Sequence, residues 1–155
     1  MNKIHFILCF SFAGLFASAK NFLSDSLRSI YENKTICLQM DMGSGFIYKK
    51  DGEVRLVGKF AENVSSDLSG SPDALAEASI ATSNLRKGFR MGIGGAMVAG
   101  ASAAAGIIVT PIAFAGVIVG IVVEMVGVKK MTKGNNHLFK AIWLYNRDVM
   151  ANAFK

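Results

Sequence analysis

The chain has 155 residues, of which 52% are hydrophobic and only 18% charged, and its formal net charge is +6. That length suits one domain with appendages, and the charged share falls below the roughly 25% of an average globular chain. The apolar excess is modest in the mean but concentrated in two blocks, which makes a uniformly mixed globular sequence the wrong description.

The first block opens the chain, as MNKIHFILCFSFAGLFASAK. Lys3 supplies a positive start, Ile4 to Phe16 an apolar core too short to span comfortably, and Ala17-Ser18-Ala19 a small-residue cleavage site. These are the parts of a secretory signal peptide, expected at 1–19 with cleavage before Lys20. No small residue precedes Cys9 as a lipoprotein signal requires, so no lipid anchor is expected. Export would leave Cys37 as a single thiol, with no intramolecular disulfide.

A small exported α+β region is expected over 20–70. Phe22, Leu23, Leu27, Ile30 and Tyr31 recur at helical spacing. TICLQMDM is β-prone, and FIYKKDGEVRLVG reads as a hairpin turning at Asp51-Gly52, where glycine accepts the positive φ of a tight turn. Three short strands need a helix to pack on. Phe60, Val64 and Leu68 then form a helical stripe. Ser71 as N-cap and Pro72 at the first helical position start a long helix over 71–109 that runs into the second apolar block.

That block, residues 91–128, holds a single charge, Glu124, and a single proline, Pro111. As one helix its 38 residues would measure about 57 Å, nearly twice a hydrocarbon core of roughly 30 Å. Proline disfavours the helical region at Thr110, so two spans are expected, at about 91–109 and at 112–128. Small residues recur every four positions at Gly92, Ala96, Gly100 and Ala104, and again at Gly116 and Gly120. Such stripes let helix backbones approach closely in lipid, within a hairpin or between copies of it.

Glu124 is an intramembrane carboxylate near the interface, where Arg90, Lys129 or Lys130 are expected to pair with it. A last amphipathic helix is expected over 134–155, after a basic polar link, with Trp143 and Tyr145 at headgroup depth. Charge divides unevenly along the chain. Residues 20–85 are net −2, whereas 86–155 are net +7, with Arg86, Lys87 and Arg90 before the apolar block and Lys129, Lys130 and Lys133 after it. Beside so long an apolar run these cations are expected at lipid headgroups rather than on nucleic acid. Their position conflicts with export, because both basic flanks would then lie outside, against the positive-inside tendency.

Chemistry is sparse. Apart from His5 in the leader, His137 is the one histidine, and with Cys37 it falls short of a metal site of ordinary ligand count. The glycine spacings lack the Lys-Ser/Thr of a phosphate loop, and no strand precedes Gly92-Ile93-Gly94-Gly95 as a dinucleotide site requires. No cofactor, catalytic residue or small-molecule ligand is expected.

The order of exported strands, SPDAL, a Gly/Ala-rich hairpin and NNHLFKAIWLYN resembles small uncharacterised bacterial envelope proteins. The matching positions are Pro72 and Ala74, then Asn135, Leu138, Ala141, Ile142, Tyr145 and Asn146 of a closing helix N-x-x-L-x-x-A-I-x-x-Y-N. The resemblance covers roughly 54–146 and implies membrane association without an activity. The fold class expected is therefore a membrane α-helical hairpin carrying a small exported α+β region. Its expected role is that of a non-enzymatic envelope protein whose partner is the lipid bilayer. A membrane-active or pore-forming protein, homo-oligomeric through its glycine stripes, is the alternative.

Overall fold

The computed structural model describes residues 25–41, 45–105 and 111–154. The expected signal peptide and the break at Thr110 lie outside them. The described chain is mostly helical, with one small antiparallel sheet.

Helix α1 (Asp25–Lys34) leads into strands β1 (Cys37–Asp41), β2 (Gly45–Lys50) and β3 (Glu53–Leu56), which pair in sequence order. The β2–β3 turn is the Asp51-Gly52 pair, bracketed by Lys50 opposite Glu53. Asp51 and Gly52 take φ of 53° and 78°, so both central residues are left-handed, as the turn that matches strand twist requires. A short helix α2 (Glu62–Asp67) follows, and then two long helices, α3 (Pro72–Ala105) and α4 (Pro111–Ala153).

The head of the molecule is built around Tyr48 from the sheet, Val64 and Leu68 at α2, Ala74, Ala78 and Ala81 on α3, and Leu138, Ala141 and Ile142 on α4. Fully buried alanines on α3, with no bulk beyond Cβ, let the sheet side and α4 approach it closely. Two polar devices lock the register. Ser71 Oγ accepts from the Ala74 N–H at 3.3 Å, capping α3, and donates to Asp148 Oδ2 at 2.6 Å across on α4. The Asn146 amide takes both backbone groups of Ile36, accepting from its N–H at 2.7 Å and donating to its carbonyl at 2.9 Å. The segment entering the sheet is thereby pinned to α4.

Helices α3 and α4 run antiparallel, because Gly88 lies against Gly127 and Met131 while Gly95 lies against Gly120 and Glu124. One expectation is corrected here. The basic link between a span at 112–128 and a separate helix at 134–155 is itself helical, and α4 is continuous through it. Gly134 is a close-approach residue rather than a break: a Cβ there would stand 2.8 Å from Leu85 Cγ.

Candidate functional site

The part of the molecule that calls for a function is the end of the helix pair away from the head. From Met91 to Ala105 on α3 and from Ile112 to Val128 on α4, most large apolar side chains point outward and no described residue covers them. Met97 is 70% exposed and Phe114 71%. Helix α4 is long and apolar enough to cross a membrane, yet only 17% of its most apolar window is buried. A soluble core helix of that composition would be covered, since leaving a Val, Leu, Ile or Phe in water forfeits roughly 1.5–3 kcal/mol each. The apolar length of α4 from Ile112 to Val128 is about 24 Å at 1.5 Å per residue, close to a hydrocarbon core.

The apolar zone ends abruptly at a collar of cations. Lys87 and Arg90 on α3 and Lys129, Lys130 and Lys133 on α4 share one level, because Gly88 packs on Gly127 and Met131 and Leu85 packs on Gly134. None of the five has an acidic partner among the described residues. Arg86, beside them, is held at 3.5 Å from Glu62. The Lys59 ammonium lies 3.9 Å from the Phe89 ring.

Away from the collar, several charges in the head are neutralised in pairs. Glu77 on α3 receives Lys140 and His137 of α4, each at 2.6 Å, and the hydrogen bond from Lys140, then that from His137, holds its carboxyl below the usual range. Asp67 accepts from the Tyr48 hydroxyl at 2.7 Å and from Arg55 Nη1 at 2.9 Å, and its backbone carbonyl accepts from Lys50 at 2.8 Å. Burial raises the Asp67 carboxyl, but the Tyr48 hydrogen bond with the Lys50 and Arg55 charges outweighs it and holds the group low. Tyr48 is pushed up to about 12, first by burial and then by the Asp67 carboxylate. A phenol so raised is a structural donor and not a nucleophile at neutral pH. Among the described residues no cluster of His, Cys, Asp and Glu could hold a metal ion.

The residues singled out from sequence are dispersed. Gly116 faces Ser102, and Gly120 lies inside the helix pair, where a Cβ would come within 2.5 Å of the Ala99 nitrogen. The Gly92 backbone packs beneath Gly127. Ala96, Gly100 and Ala104 instead face outward, and a Cβ on Gly100 would meet nothing within 4 Å. The seam that closes the pair has a different period. It runs through Ala74, Ala81, Gly88 and Gly95 on α3 and Gly120, Gly127, Gly134 and Ala141 on α4, buried positions spaced by seven. A seven-residue repeat keeps one stripe facing its partner along both helices, and that spacing was available in the sequence.

The other expectations divide similarly. Glu124 is exposed on the apolar zone, and its expected pairing with Arg90, Lys129 or Lys130 is not found among the described residues. Arg90, Lys129 and Lys130 do sit at the collar. Tyr145 does not: it is 8% exposed in the head core, with Lys50 Nζ 5.2 Å above its ring. Trp143 is exposed beside Arg147, but fourteen residues along one helix put it about 21 Å from Lys129. The last turns of α4 are the wall of the head core, so they do not form a separate interfacial helix. Compared with family models, curated proteins and solved structures, the chain matches none.

Proposed function

We propose that this chain is a non-enzymatic envelope protein held in a bilayer by the apolar half of its helix pair, with the head standing on the membrane surface. The observation that carries the reading is the uncovered apolar zone, about one hydrocarbon core in length, stopping at five cations that have no acidic partner. Anionic headgroups would supply the missing counter-charges, and the acyl chains would cover the apolar side chains. The seven-residue seam supports insertion as a unit, since the glycine-rich α3 segment is weakly apolar alone and would enter as the partner of α4. Carbonate extraction of membranes tests this directly. The chain should stay with the membrane pellet, and release into the soluble fraction would overturn the reading.

A second reading, a membrane-active protein that assembles into pores, is favoured by one feature, the outward stripe of Ala96, Gly100 and Ala104. A second copy pressed on that stripe could approach as closely as α4 does on the inner face. Dye release from vesicles by purified protein discriminates. Leakage abolished by Gly100→Leu supports pore assembly, while no leakage, or leakage indifferent to that change, counts against it.

A further inference from the structure

Beside the collar, between the sheet and the helix pair, lies an open groove of about 410 Å³, within the roughly 300–1,000 Å³ of pockets that take small ligands. Phe46 and Leu56 line it from the sheet side, and Leu85, Met131 and Leu138 from the helix side. Phe46 and Leu56 are both exposed although apolar, so the groove is a place where apolar walls face each other unfilled. Its polar lining is cationic or neutral. Lys59 has no acidic partner among the described residues, and the Asn135 side chain is in no hydrogen bond there.

The geometry points to this groove as the binding site of one anionic membrane phospholipid, an acyl chain between the sheet and α4 and the phosphate at Lys59. Three features select that occupant. The groove has apolar walls and no acidic lining residue, which suits a chain with an anionic head and repels a cationic one. It begins at Met131, three residues beyond Val128, so its floor continues the exposed apolar surface of α4. Lys130 and Lys133 flank Met131 in sequence and add to the positive field at that level. A lipid lifted one chain out of the leaflet would clamp the sheet to the bilayer, giving the head a fixed orientation. This inference rests on the membrane reading, because the lipid is drawn from the leaflet the helix pair enters.

The test uses the full chain in vesicles of phosphatidylcholine containing phosphatidylglycerol with a photoreactive diazirine in its acyl chain, with adducts mapped by mass spectrometry. Adducts are expected on α4 between Ile112 and Val128 and also on Phe46 or Leu56, which lie outside the helix pair. Leu56→Glu and Lys59→Glu, both at exposed positions, should each reduce the sheet adducts at least five-fold and leave the α4 adducts unchanged. Adducts confined to α4 overturn the groove while leaving the membrane reading intact. Absence of adducts everywhere overturns both. Sheet adducts that persist in both variants, or that form equally with a photoreactive phosphatidylcholine, show non-specific contact and also overturn the proposal.

Discussion

At the scale of single residues, the glycines separate into two groups that the sequence does not distinguish by type. Gly120 and Gly127 sit where a Cβ would overlap backbone of the facing helix, 2.5 Å from the Ala99 nitrogen and 2.7 Å from the Gly92 nitrogen. Gly94 and Gly100 meet nothing within 4 Å. Glycine in a helix interior costs about 1 kcal/mol relative to alanine, so an alanine at the open sites should stabilise and one at the seam should not. Overpacking a close contact costs typically about 1–3 kcal/mol, and backbone cannot step aside as a side-chain tip can. Thermal melts in detergent micelles should therefore rise by a few degrees for Gly100→Ala and fall for Gly120→Ala and Gly127→Ala. Equal effects at all three positions would remove the seam from the account. The four-residue stripe was the obvious reading of Gly92, Ala96, Gly100 and Ala104, because that spacing is the one associated with close helix pairs. The seven-residue spacing of Gly120, Gly127 and Gly134 was equally visible, but it spans the boundary between apolar and charged sequence and so does not look like one feature.

At the scale of elements, local signals worked where the physics is local. The Asp51-Gly52 turn, the three strands and the Ser71-Pro72 helix start follow from turn chemistry and capping, which depend on neighbours in sequence. Signals failed where a distant segment decides. The basic link between Val128 and Gly134 reads as a break, but Leu85 from α3 packs beside Gly134 and the helix continues through it. Tyr145 reads as an amphipathic anchor, but the sheet covers it through Lys50. The groove was invisible because its two walls lie roughly 30 to 90 residues apart in the chain. The sheet joins α2 through Asp67, and this junction carries a pH dependence with a defined sign. The Asp67 carboxyl is held below its unfolded range, so its contribution is present above the unfolded value of about 4 and is lost as pH falls through the depressed folded value. Tyr48 is raised from near 10 to about 12, so its contribution is full below pH 10 and lost as pH rises through about 12. The head should melt at lower temperature both below pH 4 and above pH 10, followed by circular dichroism. Asp67→Asn should make the acid limb shallower without abolishing it, because Glu62, held low first by the Phe60 N–H, and Glu77 also titrate there. An acid limb unchanged in that variant would show that Asp67 carries none of it.

At the scale of the whole molecule, charge is sorted along the long axis: the acid–base pairs of Asp67 and Glu77 lie in the head, five cations without acidic partners among the described residues at the collar, and Glu124 in the apolar zone. Both basic flanks lie at the same end of the helix pair, so a membrane that takes the apolar end meets all five cations at one face. The positive-inside tendency and the expected signal peptide disagree about which face that is, and under either orientation the proposed headgroup contact falls at the collar. Each cation near an anionic surface contributes about 1 kcal/mol at physiological salt, whereas the apolar contribution is indifferent to headgroup charge. The two contributions can therefore be read separately. Neutralising Lys129 and Lys130 to glutamine should weaken partition into vesicles containing phosphatidylglycerol by about ten-fold or more, from the two lost contributions together. Partition into pure phosphatidylcholine should not change. Raising salt toward 1 M, where the screening length shrinks to about 3 Å, should bring the wild-type chain and the variant down to one common level. If the double variant binds anionic vesicles as well as the wild type does, the collar is a solvated surface with no part in anchoring. Insertion would then rest on the apolar side chains of α3 and α4 alone.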